Sequence, residues 1–121
     1  MEAPTLFLGC ADLFFATRIE TTARKLGYRL ERLPAEPHEI SPPPSSLAIL
    51  DLDGKGDVLG WIRRFRAQGE AYPVYAFVRH DEVEKIRAAR EAGASQVFAR
   101  GAFSQKLPDL LKREGGDTMG Q

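Results

Sequence analysis

The residues best placed to do chemistry are carboxylates. Asp51 and Asp53 close the apolar run LAILDLDG, and Asp12 follows the earlier run TLFLGC. Carboxylates can act as nucleophiles or as oxygen ligands for hard cations. Cys10 stands two residues before Asp12 and could be a redox-active thiol. Neighbouring acids raise a thiol's pKa, however, and a lone cysteine at a strand end is more often packing. His38 and His80 have no partner at metal-ligand spacing and read as surface residues. Arg63, Arg64 and Arg66 with Lys55 read as a solvated helix face, and as a weak anion patch in second place. No GxGxxG, P-loop or nucleophile elbow is present, so nucleotide binding and hydrolase chemistry have no support.

The elements that must position these residues alternate in type. Thr5 to Cys10 is too short for a helix and apolar on both sides, which predicts a strand buried on both faces. Asp12 then caps a helix with Phe15, Ile19, Ala23 and Leu26 on one side, ended by Gly27. Tyr28 to Leu33 alternates apolar and charged residues, as an edge strand does. Pro34 to Ser46 holds five prolines, so an extended loop with at most one helical turn near Pro37 to Ile40 is expected. Its SPPPSS run reads as a stiff surface connection before it reads as a ligand for a peptide-binding module.

Leu47 to Leu52 and Pro73 to Val78 predict two more buried strands. Between them Asp57 caps a helix reaching about Gln68, with Val58, Ile62 and Phe65 inward. Trp61 borders that stripe beside the arginines, so part of its ring is expected to be exposed, as half-buried packing or as an interface anchor. Asp81 or Glu82 opens a helix with Val83, Ile86 and Ala89 inward, closed by Gly93. Gln96 to Ala99 forms a last strand. Phe103, Leu107, Leu110 and Leu111 fit a final helix, which Pro108 should force to start late and stay short.

These elements predict an α/β fold: a doubly wound five-stranded parallel sheet, order 2-1-3-4-5, with the second helix shortened or missing. Residues 1–114 make one domain and 115–121 a frayed tail. In such sheets ligands bind at the carboxyl ends of the first and third strands, which carry Cys10, Asp12, Asp51 and Asp53. Among 121 residues, 17 Lys plus Arg balance 17 Asp plus Glu, so neither nucleic acid nor an anionic membrane is an expected partner. The single cysteine, the absence of a signal-peptide pattern and the lack of a long apolar run point to a cytoplasmic protein.

On the strength of LAILDLDG and EAGASQVFARGAF, the chain resembles the receiver domains of two-component response regulators over about Thr5 to Arg113. KLGYRLERL adds a weaker match to the family's first helix and second strand. The resemblance implies that Asp51 occupies the position of the aspartate that accepts a phosphoryl group. It also implies Mg²⁺ held by an acid pair after the first strand, a Thr or Ser after the fourth strand and a Lys after the fifth. The cation is needed because anionic phosphate oxygens must approach an anionic nucleophile.

Most of those positions depart from the family's pattern. The acid pair falls on Gly9 and Cys10, or on Cys10 and Ala11 by a count back from Gly27. The hydroxyl position is Val78, the Lys position is Arg100 and the aromatic position of the fifth strand is Val97. Gly101 replaces the usual proline, with one extra residue before Phe103. Asp12, Asp51 and Asp53 remain as residues that could rebuild a Mg²⁺ site. Asp12 reads equally as a helix cap, and Asp53 as a turn residue before Gly54. Arg100 is expected to pair with Asp51 and fill the pocket without phosphate.

The expected function is a stand-alone pseudo-receiver, not an enzyme, that needs no cofactor and signals by protein–protein interaction. The alternative is a phosphorylatable single-domain response regulator that takes phosphate on Asp51 from a histidine kinase, with Mg²⁺. Output should come from a partner, since the chain ends soon after the last helix. Expected partners are a histidine kinase, an output protein or a second copy, docking on the Val83–Lys112 face. Lys85, Arg87, Ala88, Glu91 and Phe98 are its candidate contact residues.

Overall fold

The three apolar runs form the middle of one sheet, as their two-sided hydrophobicity requires. The structure is a computed structural model and describes residues 3–79 and 82–112. His80, Asp81 and the 115–121 tail lie outside the described residues. The strands are β1 (Thr5–Gly9), β2 (Arg29–Arg32), β3 (Leu47–Asp51), β4 (Val74–Val78) and β5 (Gln96–Ala99). They are all parallel, in the order β2-β1-β3-β4-β5. Phe7 lies beside Ala48 and Asp51 beside Phe77.

Among the described residues four helices cover the sheet: α1 (Leu13–Lys25), α2 (Val58–Ala67), α3 (Val83–Ala92) and α4 (Arg100–Leu111). Asp12 caps α1 by accepting from the Phe15 amide, and Asp57 caps α2 by accepting from the Gly60 amide. Glu82 stands at the start of α3 without a side-chain cap. One core layer packs α1 and α4 on Leu6, Leu8, Leu47, Ile49, Tyr75 and Phe77. The other packs α2 and α3 on Phe7, Ala48, Leu50, Val74, Ala76 and Val78. Odd and even strand positions thus serve opposite layers.

Two expectations need correction. The last helix does not start late: α4 begins at Arg100, directly after β5, and contains Pro108. Phe103, Leu107, Leu110 and Leu111 are all buried. Burying each of the three leucines is worth about 1.5–3 kcal/mol, against about 3 kcal/mol for one helix-interior proline, so packing prevails. Trp61 is not part-exposed either; it is 2% exposed, and its Nε1–H donates to the Pro34 carbonyl at 2.8 Å.

That carbonyl belongs to the proline-rich segment, which has no helical turn and runs as a strap where a helix would lie between β2 and β3. The strap is fastened along its length. Leu33 N–H donates to the Leu8 carbonyl and Asp57 N–H to the Ala35 carbonyl, both at 2.9 Å. Ile40 is buried, Tyr72 Oη donates to the Pro42 carbonyl at 2.9 Å, and Ser46 Oγ accepts from Thr5 N–H at 2.9 Å. Gly56, at φ 90°, lets the strap come close, since a Cβ there would meet the Ala35 carbonyl at 2.4 Å.

Candidate functional site

Adjacent strands β1 and β3 end side by side, and their last residues meet the starts of α1 and α4. Asp51, the final residue of β3, is only 7% exposed. Its Oδ1 accepts from the Asp53 amide at 2.9 Å, while among the described residues its Oδ2 has only the Cys10 thiol, at 3.9 Å. Burial pushes the Asp51 carboxyl above its ordinary pKa, and the charge of Asp53 adds to this; the Asp53 amide and the cations of Arg100 and Arg79 pull it back.

The other two carboxylates are held apart from Asp51. Asp12 Oδ1 accepts from Phe15 N–H at 3.1 Å, and its Oδ2 takes Arg100 Nη2 at 2.5 Å. The Arg100 guanidinium also lies 4.3 Å from the centre of the Phe15 ring. The expected Asp51–Arg100 pair is therefore not formed. Arg100 opens α4 opposite the cap of α1, where Asp12 keeps part of its hydration, so pairing there avoids burying the cation beside Asp51. Asp53 accepts from Lys85 Nζ at 2.7 Å and from Arg79 N–H at 2.8 Å. Bonds from Arg100 and Phe15 hold Asp12 below the usual carboxylate pKa, and bonds from Lys85 and Arg79 do the same for Asp53.

This arrangement does not fit Mg²⁺, which asks for octahedral oxygen ligands at close range. Both oxygens of Asp12 and both of Asp53 already accept hydrogen bonds. Asp51 has one open oxygen, and the β1 end supplies Gly9 and Cys10 rather than acids. Among the described residues no three His, Cys, Asp or Glu side chains are grouped to hold a metal. Val78, at the end of β4, is 1% exposed and offers no hydroxyl to a phosphoryl group.

The other candidates fall into place around the site. Cys10 is half-buried, and burial pushes its thiol pKa up, which leaves little thiolate for redox chemistry. Lys85 and Ala88 face the start of α2 across a cleft with Leu52 and Gly54, so neither stands on the outer α3 face. Phe98 packs its ring 5.7 Å from that of Phe103 and is partly core. Arg87 and Glu91 are exposed. His38 sets its ring edge-on to Trp61, with centroids 5.0 Å apart. Arg66 spends its guanidinium on the Gly93, Gly69 and Tyr72 carbonyls, so it is not part of a free arginine face.

Sequence reasoning passed over Leu13 and Phe14. They stand beside Asp12 at 69% and 91% exposure, and their signal was two large apolar residues lying off the stripe of α1. It also passed over the inner wall that the strap builds beside Asp51.

Neither protein-family models nor curated proteins match the sequence. Solved structures match closely in shape. A putative response regulator from Chloroflexus aurantiacus superposes with a TM-score of 0.68 at 21% identity, covering 93% of this chain and 97% of that one. A BeF3-activated receiver domain of DrrB, a Thermotoga maritima protein, gives 0.70 at 14% identity, with 93% and 97% covered. A response regulator receiver domain from Rhodospirillum rubrum gives 0.66 at 14% identity, with 96% and 99% covered. The chain has the receiver fold. Within this fold, Asp51 closes β3, and Gly9, Cys10 and Val78 stand at or just past the ends of the neighbouring strands. No helix among the described residues is long and apolar enough to cross a membrane.

Proposed function

We propose that the protein is a pseudo-receiver: a non-enzymatic signalling module that acts by protein–protein interaction, without Mg²⁺-dependent phosphorylation of Asp51. One observation carries this reading. Asp12 and Asp53, the acids that would have to recruit the cation, are each saturated by a cationic side chain and a backbone amide. Arg100 and Lys85 thereby neutralise internally the charge that a metal neutralises elsewhere. They also tie α4 to the cap of α1 and α3 to the turn after β3, which favours one fixed conformation over a phosphate-driven switch.

The docking face we propose lies on α3 and runs to Lys112. Val83 is 66% exposed there and borders a groove of about 420 Å³ with Ile86, Arg87, Arg90 and Glu91. An apolar residue ringed by charges has the make-up of an interface centre. The occupant is a protein, whether a histidine kinase, an output protein or a second copy of this chain, and the compartment we infer is the cytoplasm. The reading is tested by titrating a captured partner, or by light scattering for self-association, with two variants. Binding should survive Asp51→Asn and fail with Arg87→Glu, and the reverse pattern would sink the reading.

A further inference from the structure

Beside Asp51, between the strap and the sheet, lies a cavity of about 180 Å³. Its lining includes the apolar Leu33, Pro34, Val58 and Trp61 together with Cys10, Asp51 and Lys55. Its wall is built rather than incidental. Trp61 is fixed by its bond to the Pro34 carbonyl, Leu33 by its bond to Leu8, and Ala35 by the Asp57 amide. The volume corresponds to about six waters of liquid, far below a drug-sized pocket, and suits a metabolite the size of an amino acid.

Among the described residues, two charged side chains line this space, and they are opposite in sign. Asp51 is more than nine-tenths buried, and among the described residues its Oδ2 accepts only the long, weak Cys10 S–H bond, at 3.9 Å. A buried carboxylate oxygen in that state wants a charged donor. Lys55 is exposed at the cavity and makes no ion pair among the described residues. Arg100 and Lys85 are committed to Asp12 and Asp53, and Arg79, whose charge also reaches Asp51, does not line the cavity. A purely cationic ligand would therefore meet Lys55, and a purely anionic one would meet Asp51. We propose that this cavity binds a small zwitterion of the amino-acid class, its ammonium on Asp51 Oδ2, its carboxylate on Lys55 and its apolar part against Leu33, Val58 and Trp61. Such a ligand would give the domain a chemical input where a receiver uses phosphate. The site goes beyond the interaction reading and stands or falls without it.

Trp61 is the only tryptophan of the chain, so its fluorescence reports on the cavity directly. The proteinogenic amino acids are titrated at up to millimolar concentration, with thermal shift as the second readout. L-leucine is then compared with its two halves, 3-methylbutylamine, which lacks the carboxylate, and 4-methylpentanoate, which lacks the amine. A saturable response to an amino acid is expected. Each half-ligand should bind about tenfold or more weakly, the usual effect of losing one charge-assisted hydrogen bond. Asp51→Asn should erase the preference for leucine over 4-methylpentanoate. Lys55→Ala, a surface change that leaves the fold alone, should erase the preference for leucine over 3-methylbutylamine. The proposal is overturned if no amino acid gives a saturable response, if the half-ligands bind as well as leucine, or if neither variant changes the preference. None of these readouts involves phosphate or a protein partner, so failure here leaves the interaction reading to its own test.

Discussion

Replacing Gly56 by alanine tests whether the strap is held where it walls the site. Gly56 has φ 90°, and a Cβ there would lie 2.4 Å from the Ala35 carbonyl oxygen and 2.6 Å from its Cα. Gly27 supplies a matched control, with φ 92° and nothing within 4 Å of an added Cβ. Both substitutions place a side chain in left-handed backbone, at a cost of about 1–2 kcal/mol, part of which is returned by a stiffer unfolded chain. Gly56→Ala must also push the strap away from α2. This breaks the Asp57-to-Ala35 and Trp61-to-Pro34 hydrogen bonds, worth about 1 kcal/mol each. The expected losses are about 1 kcal/mol for Gly27→Ala and about 3 kcal/mol for Gly56→Ala. For a domain of this size they correspond to Tm drops of about 4 °C and about 12 °C. Calorimetry measures both, and Trp61 fluorescence should shift only in the Gly56 variant. If Gly56→Ala costs no more than Gly27→Ala, the strap does not lie against α2 as described.

Three further outcomes follow from the ionised groups and from α4. Asp51 has a folded-state pKa above its unfolded value near 3.8, so its contribution to stability is greatest below that value and is lost as pH rises through the folded pKa. Asp51→Asn should accordingly be as stable as wild type or more so at neutral pH, with the difference vanishing in acid, as followed by urea unfolding across pH. Asp12 and Asp53 carry the opposite sign, contributing above that value and losing it as pH falls through their lowered pKa values. Arg100→Ala should lower Tm, with the Asp12 part of the loss fading in high salt and a cation–π part of about 0.5–1 kcal/mol persisting. Pro108→Ala, which restores a helix donor, should stabilise the domain by about 1–3 kcal/mol, and an unchanged Tm would mean the helix has already adapted to the proline.

Which parts of the fold were legible in the sequence depends on the range of the signal. LAILDL and PVYAFV read as buried parallel strands, and the Asp12 and Asp57 caps are local patterns, so the sheet order and the starts of α1 and α2 followed. The missing helix was equally plain in the prolines of Pro34 to Pro44. Pro108 misled because a local rule was set against the burial of Leu107, Leu110 and Leu111, which depends on the rest of the sheet. Arg100 is a choice among three carboxylates, and no spacing in the chain tells which of them keeps enough hydration to take it. Trp61 looked half-exposed because its partner, the Pro34 carbonyl, is brought to it by a loop with no periodicity at all. Gly9, Cys10 and Val78 could be placed at the strand ends because β1 and β4 were readable.

Intact-mass measurement after incubation with acetyl phosphate and Mg²⁺, with Asp51→Asn as control, tests the central claim most directly. The account predicts no gain in mass in either protein, because the acids that would recruit the cation are already occupied. A gain of one phosphoryl group in the wild type that is absent from Asp51→Asn would contradict it and make this a working receiver.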